Sequence, residues 1–304
     1  MQDRMKIFVG AQPSHDILLK VLTHSIKKHC SERVSVKPLY GAKRAGHRMP
    51  NDEWNSPGTS FSFFRFLIPE ETSYRGKALY LDSDMIVFSD IKKLFDIDME
   101  NHDVMVAEHF GETGHSSVMM INCATCKWDI DNILDDLDSC KYYYPQLMRL
   151  SPVVNDISFF SKEWNCLDSY DENTNLLHYT KMPSQPWLTC NNPMGKYWFR
   201  EFSDTMDSGA ISGSDLKHAV ENRYIRPSII DQIRIGEEDS TKLPEGVRKK
   251  DTDFMAYCEQ NGWNNMEGAY RNSYNIEDNA IAGEIEATNQ QLHQLNDFLK
   301  NLHK

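Results

Sequence analysis

The stretch from Lys6 to Tyr40 constrains the fold more than any other part of this 304-residue chain. Lys6–Gly10 sets Ile7, Phe8 and Val9 in an unbroken apolar run, which reads as a buried strand, and Gly10 with the polar residues to Ser14 ends it. Asp16–His29 then places Ile17, Leu18, Val21, Leu22 and Ile26 on one face at helical spacing. Val34–Tyr40 reads as a second strand. Strand, loop, helix and strand in that order predict a parallel sheet in an α/β fold.

The same reading extends along the chain. Gly41–Thr59, polar and rich in Gly, Pro and Asn, is a loop, and the aromatic Phe61–Ile68 is a helix ending before Pro69. Ala78–Leu81, Met85–Phe88, Asp103–Ala107, Val118–Asn122 and Leu176–Tyr179 read as strands. Ile91–Phe95, Trp128–Ser139 and a helix beginning at Asn155–Phe160 lie between them. After about Trp187 strand-like runs become scarce, and Asp251–Gln260 and Asp278–Leu302 look helical. In the last segment Ile281, Ile285, Leu292, Leu295, Phe298 and Leu299 fall near helical spacing. That pattern suits a helix packed on its own domain, with a dimerising helix that would make a homodimer as the alternative.

Charge narrows the partners. The formal net charge is −12, and the basic clusters Lys27-Lys28 and Arg248-Lys249-Lys250 are short enough to be solvated surface, so a nucleic-acid binder is not expected. No apolar run approaches the roughly 18–20 residues of a transmembrane span, and Ile7–Val9 is too short for a signal-peptide core; the expectation is a cytoplasmic protein. The seven cysteines should then be reduced. Cys123-Ala124-Thr125-Cys126 has no second ligand pair at zinc-finger spacing and reads as two buried thiols at a strand end.

The segment Tyr80-Leu81-Asp82-Ser83-Asp84 carries the chemistry. Ligands of open parallel sheets gather at the C-terminal ends of the strands. Two carboxylates one residue apart, where a strand breaks into a loop, can turn toward one cation, and hard oxygen ligands suit Mn²⁺ or Mg²⁺. Such an ion lets an acidic chain hold a diphosphate. A D-x-D in a loop is common by chance, whereas one preceded by an apolar strand is more specific. His178, after the strand beginning at Leu176, is a candidate third ligand, with a purely structural histidine as the alternative.

These segments resemble glycosyltransferase family 8, the glycogenin-like and bacterial lipopolysaccharide-galactosyltransferase-like enzymes of the GT-A fold. The resemblance rests on five stretches in order: Ile7–Ser14 with His24-Ser25-Ile26, Thr59–Pro69, Leu81–Asp84, Ser116–Asn122, and His178-Tyr179-Thr180 through Pro186-Trp187. It implies a Rossmann-like nucleotide-sugar-binding domain with a mostly parallel central sheet over 1–188 and a mainly helical C-terminal extension over 189–304. It also implies a retaining, Mn²⁺-dependent transfer of a hexose, glucose or galactose, from a UDP-sugar. By match to the motifs, Asp82, Asp84 and His178 would hold the metal and Arg65 would reach toward the donor. Gly10, Ala11 and Gln12 would line the base pocket with Ser83 beside them, and Asn155 and Asp156 would lie near the transferring carbon. Asn155 would equally suit a helix N-cap.

Two positions depart from the family pattern. Gln12 stands where relatives carry an acid, and Gln185 where many carry Lys before Pro-Trp; Lys181 is a candidate to supply that charge. A nucleotidyltransferase would want a glycine-rich, basic loop, which Gly10–Ser14 is not. A catalytically weak subunit that only binds a nucleotide sugar or glycan would have no need of all three ligands. Tyr142-Tyr143-Tyr144 could offer an acceptor surface, although core packing is the commoner use of such rings. The acceptor itself, whether glycan, lipid-linked or protein, is not encoded in any one motif.

Overall fold

The computed structural model describes residues 5–52, 55–57, 59–108 and 116–261. Its strands in chain order are β1 (Met5–Gly10), β2 (Val34–Pro38), β3 (Lys77–Asp82), β4 (Met85–Val87), β5 (Val104–Ala107), β6 (Val118–Asn122), β7 (Ile157–Phe160), β8 (Cys166–Leu167) and β9 (Leu176–His178). Six of them form one sheet in the order β2-β1-β3-β6-β5-β7. β1 is parallel to β2 and β3, β6 is antiparallel to β3 and β5, and β7 is parallel to β5, so β6 alone runs against the rest. The mostly parallel α/β sheet expected from the sequence is therefore the sheet found.

Both faces of this sheet are covered, which is why its strands are apolar runs rather than alternations. Successive side chains still point to opposite sides. Ile7, Val9, Leu79, Leu81, Met105 and Met120 pack toward the first helix, α1 (Asp16–His29), through Leu19, Leu22 and Ile26. Phe8, Tyr80, Val106 and Met119 pack the other way, against Phe63, Phe66 and α2 (Ile130–Asp138). A second, three-stranded sheet, β4-β9-β8, continues directly from the end of β3.

Two local expectations change. The Phe61–Ile68 helix is a 3-10 helix over Ser60–Leu67 that runs on into an α-turn at Ile68–Glu71. Pro69 lies in the first turn of that α-segment, where a missing N–H leaves no bond unmade, so it does not stop the helix. The helix expected to begin at Asn155–Phe160 is instead strand β7. Its pairing with β5 buries Phe160 and leaves Phe159 half exposed, and a sheet neighbour outweighs any local helical preference.

Beyond β9 the regular elements of the described residues are helical, chiefly α3 (Gly195–Asp207), α4 (Gly213–Glu221), α5 (Ile229–Ile235) and α6 (Thr252–Gln260). Ile17, Leu18 and Val21 of α1 share one apolar cluster with Trp187, Trp198 and Phe202, so the core is continuous across residue 188. Charges reinforce the contact: Glu201 accepts from His24 and Lys28, and Asp215 from Lys20. The segment Asp278–Leu302 lies outside the described residues. No helix among the described residues is long and apolar enough to cross a membrane.

Asp215 gives a pH prediction. It is reciprocally capped with Ser212 at the start of α4, and the Ser212 backbone N–H followed by Lys20 lower its pKa to about 2. A carboxylate depressed on folding stabilises above its unfolded value near 3.8, and that contribution fades as pH falls through about 2. Asp215→Asn is expected to lower stability by up to about 1 kcal/mol at neutral pH. The gap between the two urea denaturation midpoints should close as pH falls from 4 toward about 2.

Candidate metal and donor site

The acidic pair sits where the two sheets meet. β3 ends on Asp82, which lies opposite Gly10 in the parallel register with β1. Ser83 and Asp84 form the turn, and β4 then pairs with β9 so that Met85 faces His178. This pairing, across 93 residues of sequence, sets the histidine beside Asp84. One ligand atom from each of Asp82, Asp84 and His178 lies within 4.8 Å of the others.

The surroundings of these side chains prepare them for a cation. His178 Nδ1 lies 3.0 Å from Asn165 Oδ1 and 3.3 Å from Ser117 Oγ, contacts that fix the orientation of the ring. Nε2 then faces Asp84 Oδ1, 3.2 Å away, and that oxygen accepts no other hydrogen bond among the described residues. A carboxylate oxygen and a ring nitrogen so close call for a cation between them, a proton or a metal. Burial pulls the His178 pKa down, but the charges of Asp84 and Asp82 outweigh it and leave it raised. The other oxygen, Asp84 Oδ2, accepts from Gln185 Nε2 at 3.2 Å, and the same amide donates to Tyr179 O at 2.9 Å. Gln185 thus fixes which way Asp84 faces. Oxygen and imidazole donors with an unsatisfied oxygen fit a hard divalent ion such as Mn²⁺ or Mg²⁺.

Asp82 is held from the other side. Burial raises its pKa; Arg65, with Nη2 3.7 Å away, opposes this, and Asp84 adds to the rise. The Tyr80 hydroxyl donates to Asp82 Oδ1. Arg65 is buried, with Nε on Ser62 O, Nη1 on Ser116 O and Oγ, and its guanidinium 4.7 Å over the Tyr80 ring. Its donors are largely spent inside the protein, so it anchors the acids and does not project from the site. Gly10 shows how close this packing is: a Cβ there would lie 2.2 Å from Tyr80 Oη and 3.2 Å from Asp82 Oδ1.

Ala11 and Gln12 are buried just beyond the end of β1. Next to them lies a residue that sequence reasoning passed over, His15. Its Nδ1 is 2.9 Å from Ser83 Oγ, its ring meets Phe61 edge-on, and burial lowers its pKa to about 4, so it is neutral at pH 7. His15 Nε2 is buried without a hydrogen-bond partner among the described residues. Nothing in Pro13-Ser14-His15 distinguishes this imidazole from an ordinary loop residue; only the approach of Ser83 does. Lys181 is exposed and forms no ion pair among the described residues.

Asn155 and Asp156 are not brought to this cluster. They precede β7 and are exposed. Asp103 N donates to Asp156 O and Asn122 N to Asp103 O, while Asn122 is opposite Lys77 in β3. Asp156 is therefore level with the beginning of β3, and Asp82 is at its end. Its carboxylate faces His102 Nδ1 at 3.0 Å. The aromatic run is structural: Tyr142 is buried with its hydroxyl on Ile133 O, and Tyr144 packs edge-on against Phe63. Cys123 and Cys126 are buried free thiols after β6.

Comparison with known proteins agrees with this architecture. The sequence model of glycosyl transferase family 8 matches residues 23–144. Protein CDI of Arabidopsis thaliana is 34% identical over 108 residues, which are 34% of this chain and 40% of that protein. The match therefore spans well under half of that relative. Among solved structures, the galactosyltransferase LgtC in complex with donor and acceptor sugar analogs superposes with a TM-score of 0.50 at 15% identity, covering 66% of this chain and 96% of that one. The bifunctional glycosyltransferase WbbM in its apo form gives 0.50 at 14% identity over 69% of this chain and 52% of its own. At such identities the likeness is one of fold, that of a GT-A glycosyltransferase.

Proposed function

With residues 23–144 matching the sequence model of glycosyl transferase family 8, we propose that this chain transfers a hexose from a UDP-sugar, with retention, in a reaction that requires Mn²⁺ or Mg²⁺. The observation that carries the reading is the close pair Asp84 Oδ1 and His178 Nε2, next to a second carboxylate, Asp82, at the C-terminal end of the parallel strands β1 and β3. A divalent ion held by Asp82, Asp84 and His178 would neutralise the diphosphate of the leaving nucleotide. Arg65 and Tyr80 keep Asp82 oriented, and Gln185 keeps Asp84 oriented. Gly10, Ala11, Gln12, Ser83 and the unpaired Nε2 of His15 are the groups offered to the nucleoside, and Lys181 the cation offered to the diphosphate. The segment 189–304, helical over its described residues 189–261, serves as an extension on the acceptor side, and the acceptor is a glycan, free or attached to lipid or protein.

The test is calorimetric titration with UDP-glucose, UDP-galactose, UDP-N-acetylglucosamine, GDP-mannose and ATP, each with and without Mn²⁺. Binding of one UDP-sugar that depends on the metal is expected, with slow release of UDP when no acceptor is present. Metal-independent binding of a different nucleotide would refute the proposal.

One positioning residue follows from the same loop. Asp168 has a left-handed backbone (φ 49), costly for a residue other than glycine but tolerated best by Asn and Asp. Its N–H donates to His178 O at 2.9 Å, and its carboxylate accepts from Thr180 Oγ1 and from Lys181 N at 3.4 Å. Asp168→Ala is expected to raise the donor KM by about tenfold with a smaller change in kcat, and Asp168→Asn to remain near wild type. Equal behaviour of the two variants would show that the loop is not set by this side chain.

A further inference from the structure

The end of the sheet remote from the acids holds a cleft of about 570 Å³, bounded by the beginnings of β1 and β3, the turn Thr72–Gly76 and the short helix Lys92–Phe95. Four cations line it, Lys6, Arg75, Lys77 and Lys92, against two carboxylates, Glu32 and Asp96. One cation takes both carboxylates: Lys92 bonds Asp96 and lies 3.8 Å from Glu32. Lys77 is half-buried, and its ammonium donates to the carbonyl oxygens of Phe95 and Ile97, which hold it without cancelling its charge. Lys6 and Arg75 form no ion pair among the described residues. The concavity therefore carries an excess of two positive charges, four cations against two carboxylates, in a chain whose net charge is −12.

This runs against the general field of the molecule. In an acidic protein, positive charges are normally dispersed among carboxylates, and a concave wall concentrates whatever field remains. The turn that sets Arg75 beside Lys77 is itself strained: Ser73 (φ 57) and Tyr74 (φ 54) are left-handed without being glycine, and Gly76 (φ 67) follows. We propose that this cleft binds a phosphate-bearing polyanion, at a site separate from the donor site. A guanidinium with two ammonium groups matches the charge and the several acceptor oxygens of a phosphate better than the single charge of a carboxylate. Lys77 and Asp82 begin and end β3, so the two sites are separated by about 16 Å along the strand. The proposal does not depend on the chain being a transferase.

The test is calorimetric titration with inorganic phosphate and with pyrophosphate in metal-free buffer, on wild type, Arg75→Gln, the double variant Lys6→Gln/Arg75→Gln, and Asp84→Ala. Arg75 is exposed and Lys6 partly so, and circular dichroism checks that the folds match. Binding equal in wild type and Asp84→Ala, weakened about tenfold by Arg75→Gln and further in the double variant, is expected. Pyrophosphate favoured over phosphate identifies a diphosphate-bearing ligand; equal binding identifies a single phosphate group. Binding that survives the double variant but not Asp84→Ala places the anion at the acid pair and overturns the proposal. So does the lack of saturable binding of either anion up to about 10 mM, near the weakest affinity a specific site would show.

Discussion

Asp84→Asn is expected to reduce transfer by on the order of a thousandfold or more while leaving the protein folded. The two outcomes separate because the substitution keeps the shape of the side chain and changes only what it offers. The amide oxygen can still accept from Gln185 Nε2, and the amide N–H can donate to His178 Nε2 where a carboxylate oxygen now faces it at 3.2 Å. The contact to His178 is kept as a hydrogen bond, so the melting temperature of the metal-free variant should remain within about 2 °C of wild type. Without its anionic oxygen the site loses one charge opposite the metal. Mn²⁺ should therefore raise the melting temperature of wild type and not that of Asp84→Asn. Metal binding must also displace the proton that Asp84 and Asp82 favour on His178, so metal affinity should fall as the pH is lowered through the raised pKa of that histidine. A variant that still gains stability from Mn²⁺ would show that the ion, if bound, is held elsewhere.

What the sequence disclosed, and what it withheld, follows the range of the forces involved. β1, α1 and β3 were legible because a buried strand and an amphipathic helix each leave a local periodicity, and the observed bounds of α1, Asp16–His29, are those read from the spacing. Asp82 and Asp84 were legible because the end of an apolar run marks the end of a strand. The approach of His178 to Asp84 rests on the β4–β9 pairing; its place after an apolar strand made it a candidate ligand with a structural histidine as the alternative, and the family resemblance favoured the ligand. Asn155 and Asp156 show the limit of that resemblance. A motif match gives residue order, and the register of β7 against β5 places these two at the other end of the sheet. His15 and Gln185 belong to a third kind, polar side chains whose roles arise only from what tertiary packing sets beside them.

Gly10→Ala should be nearly as damaging as the loss of a ligand, although Gly10 carries no functional group. The chain does not need a left-handed conformation here, since Gly10 is part of β1. It needs the absence of a Cβ, which would lie 2.2 Å from Tyr80 Oη, 3.0 Å from Tyr80 Cζ and 3.2 Å from Asp82 Oδ1. Tyr80 is fully buried and bonded to Asp82, so it cannot swing aside without moving the carboxylate. Overpacking of this kind costs about 1–3 kcal/mol of stability. Displacing a ligand by a fraction of an ångström should lower kcat by roughly a hundredfold. Gly41→Ala is the control, because a Cβ there meets nothing within 4 Å, and its stability should change by less than about 1 kcal/mol. The decisive variant is the double substitution Gly10→Ala/Tyr80→Phe, which removes the hydroxyl that the new methyl strikes. If the mechanism is steric, the double variant is more stable than Gly10→Ala alone and recovers part of its activity, because the Cζ contact at 3.0 Å remains. In a double-mutant cycle the two substitutions then couple with a sign opposite to simple addition of two losses. Strict additivity would mean that Gly10 acts through its backbone, not through the space it leaves for Tyr80 and Asp82.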